Sequence, residues 1–113
     1  EKSRVFKSFH KDGETDAELA LCVDLGGCVK DVFVYHRVYG VIRAELNINS
    51  RLDIQRFLKD VSEGKSKLLK NTTSGYHYHT VTAPSEEILD LIQDALMERG
   101  FLAPLTDYEP VDF

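Results

Sequence analysis

Apolar residues recur along this chain with two different periods, and the period-two segments predict four strands. Residues 41–48 alternate well from Ile42 onward between apolar and polar side chains, which is typical of a half-buried antiparallel strand. Residues 4–9 and 29–35 are rich in aromatic and β-branched side chains and predict two further strands. A fourth strand is predicted around residues 75–82, where two histidines alternate with tyrosines ahead of Val81 and Thr82.

Three other segments predict helices. The first opens at Thr15, with Glu18 at the spacing of a capping box, and closes at Gly26 and Gly27. The second follows Ser50 as its cap and ends at Gly64, before a polar loop over residues 65–74. The third starts at residues 84–87 and stops at Gly100. The predicted apolar stripes are Ile54, Phe57, Leu58 and Val61 in the second helix, and Ile88, Leu91, Ile92 and Ala95 in the third.

The resulting order, β-α-β-β-α-β-α, predicts an α+β fold. We expect a two-layer arrangement in which a four-stranded, largely antiparallel sheet carries the helices on one face. The 113 residues suit a single domain, 1–113, with a C-terminal tail at 103–113 and an extended arm through Phe101 and Leu102. If Tyr76 and Tyr78 are exposed together on the opposite face, a dimer contact is expected there.

Composition and charge narrow the functional classes. The net charge is −5 and the basic residues are scattered, so the domain itself is a poor candidate for gripping nucleic acid. No apolar run approaches the length of a membrane span, and no signal peptide is visible. Cys22 and Cys28 flank a Gly-Gly turn; two reduced thiols are favoured over a disulfide, which predicts a cytoplasmic protein.

The alternating histidines are the first candidate for chemistry. His77 and His79 point to the same face of a strand, roughly 7 Å apart along the backbone. Two imidazoles at that spacing can share one metal ion, and histidine is the commonest metal ligand. The alternative is a strand with two half-buried histidines that bond only to neighbouring groups.

Two residues from the start of the chain are candidates to complete a metal site. When the first and fourth strands pair antiparallel, His10 approaches His77 and His79, and Glu18 follows in the first turn of the next helix. Three imidazoles and one carboxylate suit a divalent first-row metal such as Ni, Zn or Fe. The alternatives are that Glu18 only completes the capping box and that His10 is a solvent-exposed histidine at a strand end.

A second set of polar residues lies around the predicted turn between the second and third strands. His36, Tyr39 and Arg43 are candidates for contacting a small anionic ligand, since the planar guanidinium of arginine pairs well with a carboxylate. The alternative for His36 is a hairpin residue hydrogen-bonded to its own turn.

No serine or cysteine stands in a recognisable nucleophile motif, and no glycine-rich phosphate loop is present. These motifs therefore give no support to a nucleophilic or hydrolytic enzyme. Two alternatives stay open: a small metalloenzyme that uses the same ligands to activate water, and a metal-free structural or dimerisation domain.

Together these residues resemble the three-histidine (3H) domain, the C-terminal effector half of niacin-responsive transcriptional repressors of NAD biosynthesis and niacin uptake in bacteria. The resemblance runs from about Val5 to Leu102. It is carried by His10 and Glu18, by residues 34–43 (Val-Tyr-His-Arg-Val-Tyr-Gly-Val-Ile-Arg) and by residues 75–80 (Gly-Tyr-His-Tyr-His-Thr).

The resemblance implies an HPr-like fold, a divalent metal held by His10, Glu18, His77 and His79, nicotinic acid or a related pyridine carboxylate as co-repressor, and a homodimer. It also implies DNA binding only through an N-terminal winged helix-turn-helix domain. This chain begins at the first strand, which predicts an isolated sensor domain of a longer repressor. Arg37 departs from the family pattern, which has proline after the histidine, but it touches no predicted ligand.

Overall fold

The computed structural model describes residues 1–62 and 76–104, and these form the predicted order of strands and helices. A short 3-10 turn, Asp12–Glu14, precedes the first helix. The predicted end of the second helix at Gly64, the loop at 65–74 and the tail beyond residue 104 lie outside the described residues. The elements are β1 (Lys2–Phe9), α1 (Thr15–Asp24), β2 (Cys28–His36), β3 (Gly40–Ile48), α2 (Arg51–Ser62), β4 (Tyr76–Ala83) and α3 (Glu86–Glu98).

The four strands form one open antiparallel sheet in the order β1-β4-β2-β3. Strand β4, the last of the four along the chain, therefore lies between β1 and β2 in the sheet. It pairs with β1 over its full length, from Lys2 opposite Ala83 to Phe9 opposite Tyr76. The predicted neighbourhood of the first and fourth strands is confirmed.

All three helices pack on one face of the sheet, where a single apolar core forms. Alternation along β3 from Ile42 to Ile48 places its apolar residues toward the helix-covered face and its polar residues toward the other face. Among the described residues, no helix has the length and apolar character that crossing a membrane requires. The buried core consists of Phe6, Leu19, Cys22, Val29, Ile48, Ile54, Val81, Ala83, Leu89, Ile92, Leu96 and Phe101.

Local signals fix the ends of α2 and α3. The Ser50 hydroxyl accepts the backbone N–H of Asp53, and the Ser85 hydroxyl accepts that of Ile88, so both serines cap the helices they precede. Gly100 stops α3 with a φ of 74°, a left-handed conformation that glycine adopts without steric penalty. The predicted cap at Ser50 and the predicted stop at Gly100 are confirmed, and Ser85 lies within the segment where the third helix was predicted to start.

The C-terminal arm docks against the edge strand as predicted. The Phe9 N–H donates to the Phe101 carbonyl at 2.8 Å, and the Ala103 N–H donates to the Lys7 carbonyl at 2.9 Å. The Phe101 ring is buried and lies 5.5 Å from the His10 ring. The arm therefore closes the end of the core next to His10.

Two expectations about the helices are wrong in detail. Glu14, not Thr15, occupies the N-cap of α1, and no side chain caps that end. The Glu18 side chain is buried in the core instead of bonding to the helix end. In α3 the buried stripe is Leu89, Ile92 and Leu96, whereas Leu91 is 49% exposed.

The two tyrosines of β4 do not form one exposed pair. Tyr76 is exposed, but Tyr78 is only 5% exposed, with its ring stacked on Phe33 at 5.1 Å. The condition set for a dimer contact at that pair is therefore not met.

Candidate metal centre

Three imidazoles converge on one carboxylate oxygen in the core. Oε1 of Glu18 lies 2.8 Å from Nε2 of His10, 3.1 Å from Nε2 of His77 and 3.1 Å from Nε2 of His79. Ligand atoms of His10, Glu18 and His77 all lie within 4.8 Å of one another, and His79 joins them through the same oxygen. The four side chains predicted to meet do so.

Strand pairing and a tight turn bring these residues together. His77 lies opposite Ser8 and His79 lies opposite Phe6 across the β1–β4 pair, so both imidazoles point to the helix-covered face. His10 follows the end of β1, one residue past the pair formed by Phe9. The 3-10 turn then reverses the chain, which places Glu18 over the same end of β4.

The cluster is sealed from solvent. The side chains of His10, Glu18, His77 and His79 are 1%, 1%, 3% and 7% exposed. Burial alone would raise the pKa of the Glu18 carboxyl, but the charge of His79 and hydrogen bonds from the three imidazoles hold that pKa well below its usual range. Burial lowers the pKa of His79, yet the nearby Glu18 carboxylate leaves it raised overall. Glu18 is therefore a buried anion that attracts positive charge.

In two of the three imidazoles, those of His10 and His79, the other ring nitrogen bonds to a backbone carbonyl. Nδ1 of His10 lies 2.8 Å from the Lys11 carbonyl, and Nδ1 of His79 lies 2.8 Å from the Asp31 carbonyl. A carbonyl only accepts, so each Nδ1 carries the proton, and in the neutral ring Nε2 keeps its lone pair. This is the arrangement that metal-binding histidines adopt, because the outer hydrogen bond fixes the tautomer and orients the ring.

The donor set fits a divalent cation. In the metal-free protein a charged imidazole donates from Nε2 to Glu18. A neutral ring protonated at Nδ1, as in His10 and His79, has no Nε2 proton, so that nitrogen and the carboxylate would be two acceptors facing each other, and a cation between them would resolve the repulsion. First-row metals hold nitrogen and oxygen ligands at about 2.0–2.2 Å, so neighbouring ligands of one ion lie roughly 3–3.5 Å apart. The distances from Oε1 of Glu18 are close to that range. Oε2 of Glu18 is buried without a hydrogen-bond partner among the described residues, which leaves a second oxygen for an ion.

The second predicted set lies elsewhere. His36 ends β2, and its Nδ1 accepts the backbone N–H groups of Val38 and Tyr39, as the alternative interpretation of a hairpin residue expected. Tyr39 is 77% exposed at the hairpin tip. Arg43 lies opposite Phe33, on the sheet face away from the helices, so the structure does not bring these three residues to the imidazole cluster.

One residue that contacts the cluster was missed by reasoning from the sequence. Asp31 is 5% exposed, and its carbonyl accepts the Nδ1 proton of His79. The signal was a lone acid between Val29 and Phe33 in a strand that is otherwise largely apolar, where an unpaired carboxylate is costly to bury.

Comparison with known proteins shows the family to which this chain belongs. The 3H domain family matches residues 3–105, and the chain belongs to that family. It is 37% identical over 99 residues to a protein named transcription repressor NadR of Bacillus subtilis. It is 35% identical over 100 residues to one named probable transcription repressor NiaR of Thermotoga maritima.

Both alignments cover 88% of this chain but only 55% and 57% of those relatives, so the chain spans about half of their length. Both relatives are named for repression and neither for catalysis. That agrees with the expectation of a regulatory protein rather than an enzyme.

Proposed function

We propose that this chain is the metal-dependent sensor domain of a cytoplasmic transcriptional repressor. The ligand is nicotinic acid or a related pyridine carboxylate, and the regulated genes serve NAD biosynthesis and niacin uptake. Membership of the 3H family and the names of the two relatives support the regulatory role. The resemblance to niacin-responsive repressors supports the ligand class.

The observation that carries the metal part of the proposal is the meeting of three Nε2 atoms at Oε1 of Glu18. Nickel, zinc and iron all accept imidazole and carboxylate ligands, so the donor set suits any of them. His10, Glu18, His77 and His79 would hold the ion. A bound ion would supply a Lewis-acidic anchor for the ring nitrogen or the carboxylate of the ligand.

The protein's own residues would neutralise part of the ion's charge and orient its imidazole ligands. The Glu18 carboxylate offsets part of the cation's charge in a buried site, where an isolated charge is costly. The backbone carbonyls of Lys11 and Asp31 hold the rings of His10 and His79 in their ligating orientation. A preorganised site of this kind loses little conformational entropy when a ligand binds.

In this proposal, ligand binding affects DNA binding through a homodimer and a separate DNA-binding domain. In the proposal the chain acts as a homodimer, ligand binding shifts the population of dimer conformations, and DNA contact is made only by a separate N-terminal domain of the full repressor. The roles of His36, Tyr39 and Arg43 in ligand binding stay predictions, and alanine substitution of each tests them by the same titration described next.

Calorimetric titration of nicotinate into metal-loaded and chelated protein tests the proposal. Heat of binding is expected for the loaded protein and none for the chelated one. Benzoate, which keeps the carboxylate and lacks the ring nitrogen, separates the two possible anchors. Equal heats with and without metal would contradict metal-anchored sensing.

Two variants control this titration. His77→Ala removes one proposed ligand and is expected to abolish the nicotinate heat. His36→Ala removes a histidine outside the cluster, and its effect reports whether the hairpin contributes to the ligand site independently of the metal.

A further inference from the structure

The carbonyl that accepts the Nδ1 proton of His79 lies in an irregular part of the sheet. Between the pairs Val29–Val81 and Phe33–Tyr78, β2 has three residues where β4 has two. The register between β2 and β3 shifts at the same place, between Val29 and Asp31. Such a bulge re-aims backbone groups and side chains, and bulges are over-represented beside functional sites.

Asp31 occupies this bulge and bonds to two successive residues of β4. Its carbonyl lies 2.8 Å from Nδ1 of His79, and its side-chain Oδ1 accepts the backbone N–H of Thr80 at 2.9 Å. In a regular ladder, a backbone carbonyl of β2 would take the N–H of β4. Here the carboxylate takes that N–H, and the carbonyl is available to the imidazole.

A second contact fixes the carboxylate itself. Oδ2 of Asp31 forms an ion pair with the Arg43 guanidinium at 3.5 Å. That guanidinium lies over the Phe33 ring, 4.6 Å from its centroid. Both carboxylate oxygens of Asp31 therefore have a partner on the face away from the helices, Oδ1 with the Thr80 N–H and Oδ2 with Arg43. The backbone carbonyl of Asp31 contacts His79 of the imidazole cluster.

We propose that Asp31 is a positioning residue for His79, and that its side chain holds the bulge in which its carbonyl fixes the Nδ1-protonated form of that imidazole. The inference rests on the proposed function only in treating His79 as a metal ligand. The orientation of His79 would then depend on a contact on the opposite face of the sheet, where the Arg43 guanidinium pairs with the Asp31 carboxylate.

The test is the tautomer of His79 in metal-free protein labelled with ¹⁵N-histidine, read from two-bond ¹H–¹⁵N correlations at alkaline pH, where imidazoles are neutral. Wild-type protein is expected to carry the His79 proton on Nδ1. Asp31→Ala is expected to move a substantial share of it to Nε2. Asp31→Asn keeps an oxygen acceptor for the Thr80 N–H, and is expected to keep the wild-type tautomer.

Zinc affinity of the same proteins gives the second readout. A loss of about 10–100-fold is expected for Asp31→Ala, the range typical of outer hydrogen-bond partners of metal ligands, with most of it recovered in Asp31→Asn. Asp24→Ala is the matched control, because it removes the acid of another Asp–Arg pair, the exposed one with Arg51. It is expected to change neither readout.

An unchanged His79 tautomer in folded Asp31→Ala overturns the proposal. If that variant does not fold, the wild type decides, because a proton on Nε2 of His79 overturns it equally. Absence of zinc binding by the wild type contradicts the proposed function instead, and the spectra of the metal-free protein still test the role of Asp31.

Discussion

The four histidines of this chain occupy two environments that differ in burial and in what their ring nitrogens contact. His10, His77 and His79 are buried, and each turns Nε2 to the same oxygen of Glu18. His36 lies at the end of the β2–β3 hairpin, and its Nδ1 accepts two N–H groups of its own turn. The first environment offers nitrogen lone pairs beside a buried anion, whereas the second uses one nitrogen to hold a turn.

This difference shows what separates a candidate metal ligand from a structural histidine. The side chain is the same, but only the three buried histidines contact the Glu18 carboxylate. The second oxygen of that carboxylate is buried without a hydrogen-bond partner among the described residues. Four substitutions or changes of condition, from the largest expected effect to the smallest, can break or sharpen the contrast.

Glu18→Gln is expected to have the largest effect, because it removes the shared charge without changing the size of the side chain. The chelated variant should lose about 3 kcal/mol of unfolding free energy near pH 6, where a buried charged histidine would lack its partner. Metal affinity should fall at least about 100-fold. Urea unfolding and metal titration measure both. Asp16→Asn, an exposed acid in the same helix, is the control and should behave as wild type.

Metal loading is expected to stabilise the wild type, because an ion that binds only the folded chain shifts the unfolding equilibrium. At a free metal concentration of 100 times Kd the gain is about 2.7 kcal/mol. Thermal unfolding with and without a chelator measures it. The shift should disappear in His77→Ala and persist in His36→Ala; a shift of the same size in both would remove the distinction between the two environments.

Stability should depend on pH in opposite senses with and without metal. In chelated protein, the lowered pKa of Glu18 contributes stability above its ordinary value of 4.5 that is lost at lower pH. The raised pKa of His79 contributes stability below its ordinary value of 6.5 that is lost as pH rises through the folded pKa. The contribution of this pair is therefore greatest between these two values.

Metal-loaded protein should instead gain stability as pH rises through the histidine range, because ligation requires neutral imidazoles. Unfolding measured from acid to alkaline pH, with and without metal, compares the two slopes. Stoichiometric metal retained near about pH 4.5 would contradict ligation by imidazole.

The smallest effect is expected at the hairpin. His36→Ala and Tyr39→Ala should each change the unfolding free energy by no more than about 0.5 kcal/mol, because water replaces the exposed contacts they lose. Chemical denaturation measures this. A loss of several kcal/mol in His36→Ala would show that the hairpin histidine is as important to the fold as the buried ones.

Much of the fold and of the site followed from local pattern and pairing. Alternation in β3, the Ser50 cap and the stop at Gly100 were predictable because each depends on residues a few positions apart. The convergence of His10 with His77 and His79 followed from one assumption, the antiparallel pairing of the first and fourth strands, which the sheet order confirms.

The features that were missed depend on longer-range geometry. Asp31 acts through a bulge, and a bulge is set by the register between strands rather than by the residues of one strand. In α3, Ile88, Leu89, Leu91 and Ile92 form an almost continuous apolar run, so two stripes fit, and only packing on the sheet selects the one with Leu89. Glu18 likewise fits a capping box until its buried histidine partners are known.

Elemental analysis of protein purified without a histidine tag tests the central claim most directly. Wild type and His36→Ala, each incubated with nickel, zinc or iron salts and then desalted, should retain a stoichiometric first-row metal, and His77→Ala should retain little. A wild-type protein that holds none of these metals, or a His77→Ala variant that holds as much as wild type, would contradict the account.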